Sequence, residues 1–283
     1  MTEPNEIYYP NIKQSWGILG IVILFCILFA PVNLLLNKLV GKELTFLIYY
    51  LFSMGIPFLI FHLIRKKRTG VSHYNFALSN VMILALVSIV TISIQMGVTT
   101  PIINLFPMPE FIKNAFIEMG QQNGVFGFVL IVIAAPIIEE LIFRGIILHG
   151  LLKRYSPVKS IIVSSILFGI AHLNPWQFIA AFIIGVFSGW VYFKTNKILL
   201  SIIIHSVNNL VGFLSMYIMD AETLMDISLT DFYGGNLNLI LVIVVSVILA
   251  LSCIYILNTE FEKEKEDGIT QNETAINELS MDE

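Results

Sequence analysis

Residues 136–145 read Pro-Ile-Ile-Glu-Glu-Leu-Ile-Phe-Arg-Gly and place Glu139, Glu140 and Arg144 inside an apolar run, 125–148. This run has the length of a membrane-spanning helix, which needs about 20 apolar residues. Each charged side chain near the middle of such a helix costs roughly 2.5–3.5 kcal/mol on insertion scales. Three charges this close together therefore indicate a function or a specific pairing.

The spacing of these charges indicates one ion pair and one carboxylate without a local partner. Glu140 and Arg144 are four residues apart, so they share a helix face and can neutralise each other. Glu139 is turned about 100° from its neighbour and has no local cation. A purely structural ion pair is the alternative interpretation, and it explains Glu140 and Arg144 but not Glu139.

The composition is that of a polytopic membrane protein. Of the 283 residues, 57% are hydrophobic and 13% are charged, and the mean hydropathy is +0.83. A soluble domain carries about 25% charged residues. The cysteines, Cys26 and Cys253, lie in apolar runs, so we expect neither a disulfide framework nor a thiolate metal site. We also expect no nucleic-acid partner.

Hydrophobic spans predict an all-α protein, a bundle of about eight transmembrane helices. The spans are 16–37, 44–64, 80–100, 125–148, 157–173, 177–194, 198–218 and 237–257. In the long connection 101–124, apolar residues repeat at helical spacing and predict a short helix at the membrane interface.

The polar ends of the chain complete the predicted organisation. Residues 1–15 form a cytoplasmic segment without the features of a cleaved signal peptide. The transmembrane domain is 16–258. Residues 259–283 form an acidic cytoplasmic tail that we expect to be disordered, because from Glu260 onward it holds nine acidic residues and two lysines.

Basic residues predict the orientation. They follow every second span: Arg65, Lys66, Lys67, Arg68, Lys153, Arg154, Lys159, Lys194 and Lys197. The positive-inside rule makes these loops cytoplasmic, and an even number of spans places both termini on the same side. Lys38 and Lys42 are exceptions. We expect an integral protein of a bacterial cell membrane.

Further polar groups lie in the fifth and seventh spans. His172 follows Phe168 by four residues, and Asn209 follows His205 by four, so each pair shares a helix face. The first, second, third and eighth spans carry almost no such groups. Either histidine alone would be interpreted as a hydrogen-bonded packing residue. Because polar groups in lipid pair with each other or face water, the fourth, fifth and seventh spans are predicted to enclose one polar cavity.

The chemistry of such a cavity fits hydrolysis of an amide. A carboxylate without its own cation can deprotonate water beside an imidazole, and a second imidazole and an amide can donate to a developing oxyanion. His172, His205 and Glu139 would also supply three ligands of a catalytic zinc, although H-E-x-x-H is absent. Both the metal-free and the zinc site remain open. Ser206 points about 100° away from His205, which disfavours a serine nucleophile.

Three short motifs in this order resemble the CAAX-protease and bacteriocin-processing (CPBP, or Abi) family of intramembrane endopeptidases. Two glutamates are followed after three residues by an arginine (139–144), a phenylalanine is followed four residues later by a histidine (168–172), and a histidine is followed by an asparagine (205–209). The resemblance runs from about 125 to 211.

This resemblance implies an eight-helix bundle with a conical cavity and a catalytic core, 125–211. It implies Glu139 as the base for the attacking water, with His172 helping to hold that water. It implies His205 and Asn209 as oxyanion donors. Supporting roles fall to Glu140, Arg144 and Phe168.

The resemblance also implies the substrate class. We expect an endopeptidase for a membrane-associated, possibly lipidated, peptide or protein, in processing of the CAAX type or of leader peptides and bacteriocins. The glutamic type is favoured over the metallo type. The alternatives are a non-catalytic scaffold or regulatory partner in the membrane, and a proton-coupled transporter in which Glu139 and His172 relay protons.

The two histidines are not level along the predicted spans. Counted from the cytoplasmic ends, His172 lies about 14 residues up its span and His205 about eight, a difference near 9 Å at about 1.5 Å per residue.

Overall fold

Long apolar helices build the whole bundle. The computed structural model describes residues 8–281, without the side chains of residue 34 and residues 267–281. In chain order the helices are α1 (Ile12–Val40), α2 (Lys42–Thr69), α3 (Val81–Ile103), α4 (Glu110–Gly120), α5 (Val125–Leu152), α6 (Pro157–Ala171), α7 (Pro175–Thr195), α8 (Ile198–Met219), α9 (Ala221–Asp226), α10 (Leu229–Phe232) and α11 (Asn236–Met281). No strand occurs among these residues. The predicted all-α polytopic bundle is confirmed.

The number of full-length spans differs from the prediction. Within the described part of the chain, seven helices are long and apolar enough to cross a membrane: α1, α2, α3, α5, α7, α8 and α11. The predicted fifth span is α6, whose 15 residues give a length of about 22 Å, whereas the hydrocarbon core is about 30 Å thick. It ends where Leu173 turns to a positive φ of 53° and Pro175 starts the next helix.

The basic loops gather at one end of the bundle. Arg68 lies over the Tyr9 ring, 5.0 Å from its centroid, which joins the end of α2 to the segment before α1. Lys197, between α7 and α8, lies 3.1 Å from the Ser79 hydroxyl and 2.9 Å from Glu264 of α11. We call this the basic end. Alternate connections of the bundle lie here.

The opposite end is closed by the connection between α3 and α5. Its helix α4 is the short helix predicted for 101–124. Lys42 pairs with Glu118 of α4 at 2.7 Å, and Lys113 of α4 pairs with Asp226 at the end of α9. These contacts join α4 to the start of α2 and to the segment after α8.

At the two ends of the chain, the structure differs from the prediction only in the acidic tail. Residues 1–7 of the predicted segment 1–15 lie outside the described residues, and α1 begins at Ile12, where the Asn11 side chain accepts from the Gln14 backbone N–H at 2.9 Å. Where the sequence predicts a disordered tail from 259, helix α11 instead continues to Met281. Glutamate and lysine favour helix, and Lys263 pairs with Glu260 one turn earlier at 2.7 Å. Residues 282 and 283 lie outside the described residues.

Candidate active site

The predicted ion pair on α5 is present and buried. Arg144 Nη1 lies 3.0 Å from Glu140 Oε1, and both side chains are 1% exposed. The N–H bonds of Nη1 are not aligned with that oxygen, so the contact is an ion pair rather than a hydrogen bond. Helix α7 completes the pair: Gly185 O accepts from Arg144 Nη2 at 3.3 Å, and Ser188 Oγ donates to Glu140 Oε2 at 3.3 Å. The pair therefore fixes α5 against α7.

His205 of α8 lies between the two glutamates. Its Nδ1 is 3.0 Å from Glu140 Oε1, and its Nε2 is 3.9 Å from Glu139 Oε2. Because a carboxylate accepts, Nδ1–H is the donor to Glu140, which orients the ring. The other ring nitrogen faces Glu139 at a distance too long for a direct hydrogen bond.

Glu139 uses its two oxygens differently. Oε1 accepts a short hydrogen bond, 2.5 Å, from the Tyr50 hydroxyl of α2. Oε2 is buried and has no hydrogen-bond partner among residues 8–281. An unsatisfied buried carboxylate oxygen is expensive, so its persistence indicates a functional position.

Tyr50 is the site residue that sequence reasoning missed. The second span was predicted to carry almost no polar groups, because only charged, imidazole and amide groups were counted and phenols were left out. Tyr50 belongs to a Tyr49-Tyr50 pair in the first third of α2. A buried tyrosine hydroxyl requires a partner, and that requirement is the signal that could have found it.

The Phe168 ring joins the remaining groups. It is buried, and its centroid lies 5.1 Å from the His172 ring, 5.4 Å from the His205 ring and 4.6 Å from Arg144 Cζ. Cationic guanidinium over an aromatic face is a favourable contact. The Phe168 ring therefore contacts both imidazoles and the guanidinium group.

His172 does not join the glutamate cluster directly. It lies just beyond the end of α6, and its Nδ1 is 2.9 Å from the Phe168 carbonyl oxygen. It forms no ion pair with a carboxylate in the part of the chain that the structure describes. Both imidazoles contact the same Phe168 ring, so the height difference expected from the spans does not place them at separate sites.

Comparison with known proteins finds a family model that is similar to the part of the chain that holds this cluster. The family model "Type II CAAX prenyl endopeptidase Rce1-like" matches residues 121–211, which contain Glu139, His172 and His205. We call 121–211 the Rce1-like segment, after the model that it resembles. The match confirms the family resemblance carried by the three motifs.

One curated protein is similar to part of this chain. It is UPF0177 protein YxdF of Lactococcus lactis subsp. lactis (strain IL1403), with 32% identity over 89 residues. The match covers 31% of this chain and 49% of that protein, so the chain spans about half the length of this relative. No solved structure matches the chain.

The Rce1-like segment does not assemble the predicted zinc ligands. No group of three histidine, cysteine, aspartate or glutamate residues within 8–281 is arranged to hold a metal ion. Glu139 and His205 approach each other, whereas His172 Nδ1 lies 2.9 Å from the Phe168 carbonyl oxygen, and His172 forms no ion pair with a carboxylate among the described residues. The proposed three-ligand set therefore does not fit this geometry, and we derive no step through a metal.

Asn209 has a structural partner within the Rce1-like segment. Helix α5 contains a π-helical turn, Val129–Ala134, in which a carbonyl is bonded five residues ahead instead of four. That register would pair Ile131 O with residue 136, but Pro136 has no N–H. Asn209 Nδ2 donates to Ile131 O at 2.9 Å and satisfies it. An amide NH₂ has two hydrogens, so the second remains for another acceptor.

The Tyr50 contact gives a testable prediction. Tyr50→Phe removes the donor to Glu139 Oε1 and is expected to lower kcat of a reaction in which Glu139 takes part by about ten- to hundredfold, with little change in KM, because one hydrogen bond to a charged group contributes about 1.5–3 kcal/mol. The matched control is Tyr49→Phe, since the Tyr49 hydroxyl donates to the Cys26 backbone carbonyl at 2.9 Å. Equal losses in the two variants would contradict a role for Tyr50 at the site.

Proposed function

We propose that this protein is an intramembrane endopeptidase that hydrolyses a peptide bond in a membrane-associated peptide or protein. The observation that carries the proposal is Glu139, whose side chain is 13% exposed and lies in the Rce1-like segment. Tyr50 holds one of its oxygens, and the other, which is buried, faces His205 without a hydrogen-bond partner among residues 8–281. The family match supports a membrane-associated substrate, and the proposal extends this to processing of the CAAX type or the leader type, with or without a lipid on the substrate.

Glu139 acts as the general base in this mechanism. A water molecule hydrogen-bonded to Oε2 gives its proton to the carboxylate while its oxygen attacks the carbonyl carbon of the scissile peptide. Collapse of the tetrahedral intermediate breaks the C–N bond, and the proton held by Glu139 passes to the leaving amine. Tyr50 keeps the carboxylate in the orientation that this transfer requires.

His205 and Asn209 donate to the oxyanion. Because Nδ1–H of His205 is directed to Glu140, donation from Nε2 requires the imidazolium form. The formal charges of Glu139, Glu140 and Arg144 sum to −1, so a proton on His205 makes the buried cluster neutral. A preorganised cationic donor beside a developing negative charge is a large source of rate enhancement.

The remaining residues of the site position the reacting groups. Glu140 and Arg144 orient His205 and connect α5 to α7. Phe168 positions both imidazoles, and His172 helps to hold the incoming water from its place beyond α6.

The orientation follows from the distribution of charge. The protein is an integral membrane protein, and we propose that the basic end faces the cytoplasm of a bacterium, in agreement with the positive-inside rule. Tyr9 near the first described residue and Glu264 of α11 both lie at the basic end, so in this proposal both described ends of the chain are cytoplasmic.

A peptide library tests the activity. Purified full-length protein in detergent is incubated with synthetic peptides that carry an apolar or prenylated terminus, and products are identified by mass spectrometry. Cleavage of at least one peptide at a defined bond is expected. If no peptide is cut and a membrane partner still co-purifies equally with the wild type and with Glu139→Gln, the scaffold hypothesis is supported instead.

Chelation tests the glutamic mechanism separately. Because the predicted zinc ligands do not converge, activity of the wild type is expected to change less than about twofold after prolonged treatment with EDTA or 1,10-phenanthroline. Loss of activity that added zinc restores would contradict a glutamic mechanism while leaving the peptidase assignment intact.

A further inference from the structure

A cavity lies at the basic end of the bundle, away from the glutamate cluster. Its volume is about 340 Å³, and it is lined by Arg65 and Arg68 from the end of α2, by His149 and Lys153 from the end of α5, and by Tyr9. It shares no lining residue with the glutamate cluster around Glu139. No aspartate or glutamate lines it within the described residues.

Arg65 is the central feature of this cavity. The side chain is only 3% exposed, yet its Nη1 has no hydrogen-bond partner among the residues that the structure describes. Its other contacts are a 3.4 Å hydrogen bond from Nη2 to the His73 carbonyl oxygen and stacking on the Tyr74 ring at 4.7 Å. A buried charged donor without an acceptor is costly, so this position indicates an anionic ligand.

Among the described residues, no acidic side chain lines the cavity. Two acidic side chains that α11 brings to the basic end pair with lysines that do not line it, Glu262 with Lys194 and Glu264 with Lys197. Arg68 stacks on the Tyr9 ring at 5.0 Å, a contact that uses its flat face and leaves the in-plane N–H groups for hydrogen bonds. Two guanidinium groups and an ammonium group therefore line one small space.

We propose that this cavity binds a phosphate group at the cytoplasmic membrane surface. Guanidinium groups match phosphate oxygens in paired hydrogen bonds, and a phosphate offers enough acceptors for Arg65, Arg68 and Lys153 together, whereas one carboxylate does not. The cavity lies at the ends of two membrane-spanning helices, where lipid headgroups lie. The phosphate belongs either to an anionic lipid headgroup or to a soluble ligand.

The chain offers a matched pair of double variants for the test. Arg68→Gln with Lys153→Gln removes two exposed charges that line the cavity. Lys67→Gln with Arg154→Gln removes two exposed charges at the adjacent positions, which do not line it. All four side chains are exposed, so both proteins are expected to fold, and the change in net charge is identical.

The probes are inorganic phosphate and dihexanoyl phosphatidylglycerol, each titrated into the full-length detergent-solubilised protein by calorimetry at constant ionic strength. Wild type is expected to bind at least one probe, and the cavity double variant to bind it about tenfold more weakly, while the control double variant stays within about twofold. Binding of the lipid alone assigns the phosphate to a headgroup, whereas equal binding of free phosphate assigns it to a soluble ligand.

Three outcomes would overturn the proposal. Wild type that binds neither probe, and that gains no binding when Glu3 and Glu6 are both replaced by glutamine, has no such site. Equal weakening in both double variants would show only attraction to a basic surface. Binding that appears only after Glu3→Gln and Glu6→Gln, the acidic residues that precede Tyr8 in sequence, would mean that the chain supplies its own anion.

Discussion

Glu139→Gln is expected to lower the rate of peptide hydrolysis about 10²–10⁴-fold, the range that a positioned general base contributes. Glutamine has nearly the same shape and can still accept from Tyr50, so the bundle is expected to fold normally. It cannot take a proton from water, so the loss should be in kcat rather than in KM. Initial rates on the best peptide from the library, with the wild type measured in parallel, provide the measurement.

A glutamate outside the cluster controls for loss of a negative charge. Glu118→Gln removes a carboxylate that pairs with Lys42 at the other end of the bundle and is 60% exposed. Its hydrolysis rate is expected to match that of the wild type. If Glu139→Gln retains more than about a tenth of wild-type kcat, Glu139 is not the base, because a missing general base costs at least about 10²-fold.

Arg144→Ala is expected to have the largest effect on stability. It leaves Glu140 buried without its cation, a change that typically costs about 3–5 kcal/mol. It also removes the contact to Gly185 of α7 and the cation under the Phe168 ring. Yield after solubilisation and the midpoint of thermal unfolding in detergent are expected to fall well below those of Glu139→Gln.

A double variant distinguishes the contribution of charge from that of packing to the stability lost in Arg144→Ala. Arg144→Met with Glu140→Gln removes both members of the ion pair and keeps much of their volume, so it is expected to recover most of the stability lost in Arg144→Ala. Equal stability of Arg144→Ala and Glu139→Gln would mean that the pair is not the structural element described here.

Local patterns in the sequence predicted the parts of the site that lie on one helix. Glu140 and Arg144 pair because a four-residue spacing brings them to one face of α5, whatever surrounds the helix. The hydrophobic runs predicted the helices for the same reason, since the bilayer fixes their length. The acidic tail is an exception, because composition alone does not distinguish a solvated helix from a disordered segment.

Contacts between helices could not be predicted in the same way. The hydrogen bond from Tyr50 to Glu139 joins positions 89 residues apart, and the distance from His172 to the glutamates depends on where α6 ends. Asn209 donates to Ile131 O, which is free because of a π-helical turn before Pro136. In the sequence, Pro136 is the only sign of this turn. Such features depend on how neighbouring segments pack, which hydropathy does not encode.

Phe168 has a consequence for the interpretation of substitutions. Its ring takes part in no reaction step, yet it packs against a guanidinium group and two imidazoles. A smaller side chain there would let all three drift together, and the resulting inactive protein would resemble one that had lost a reacting group. Loss of activity in a Phe168 variant therefore indicates that the reacting groups are misplaced. A variant with a ring of equal size is needed to distinguish misplaced groups from the loss of a reacting group.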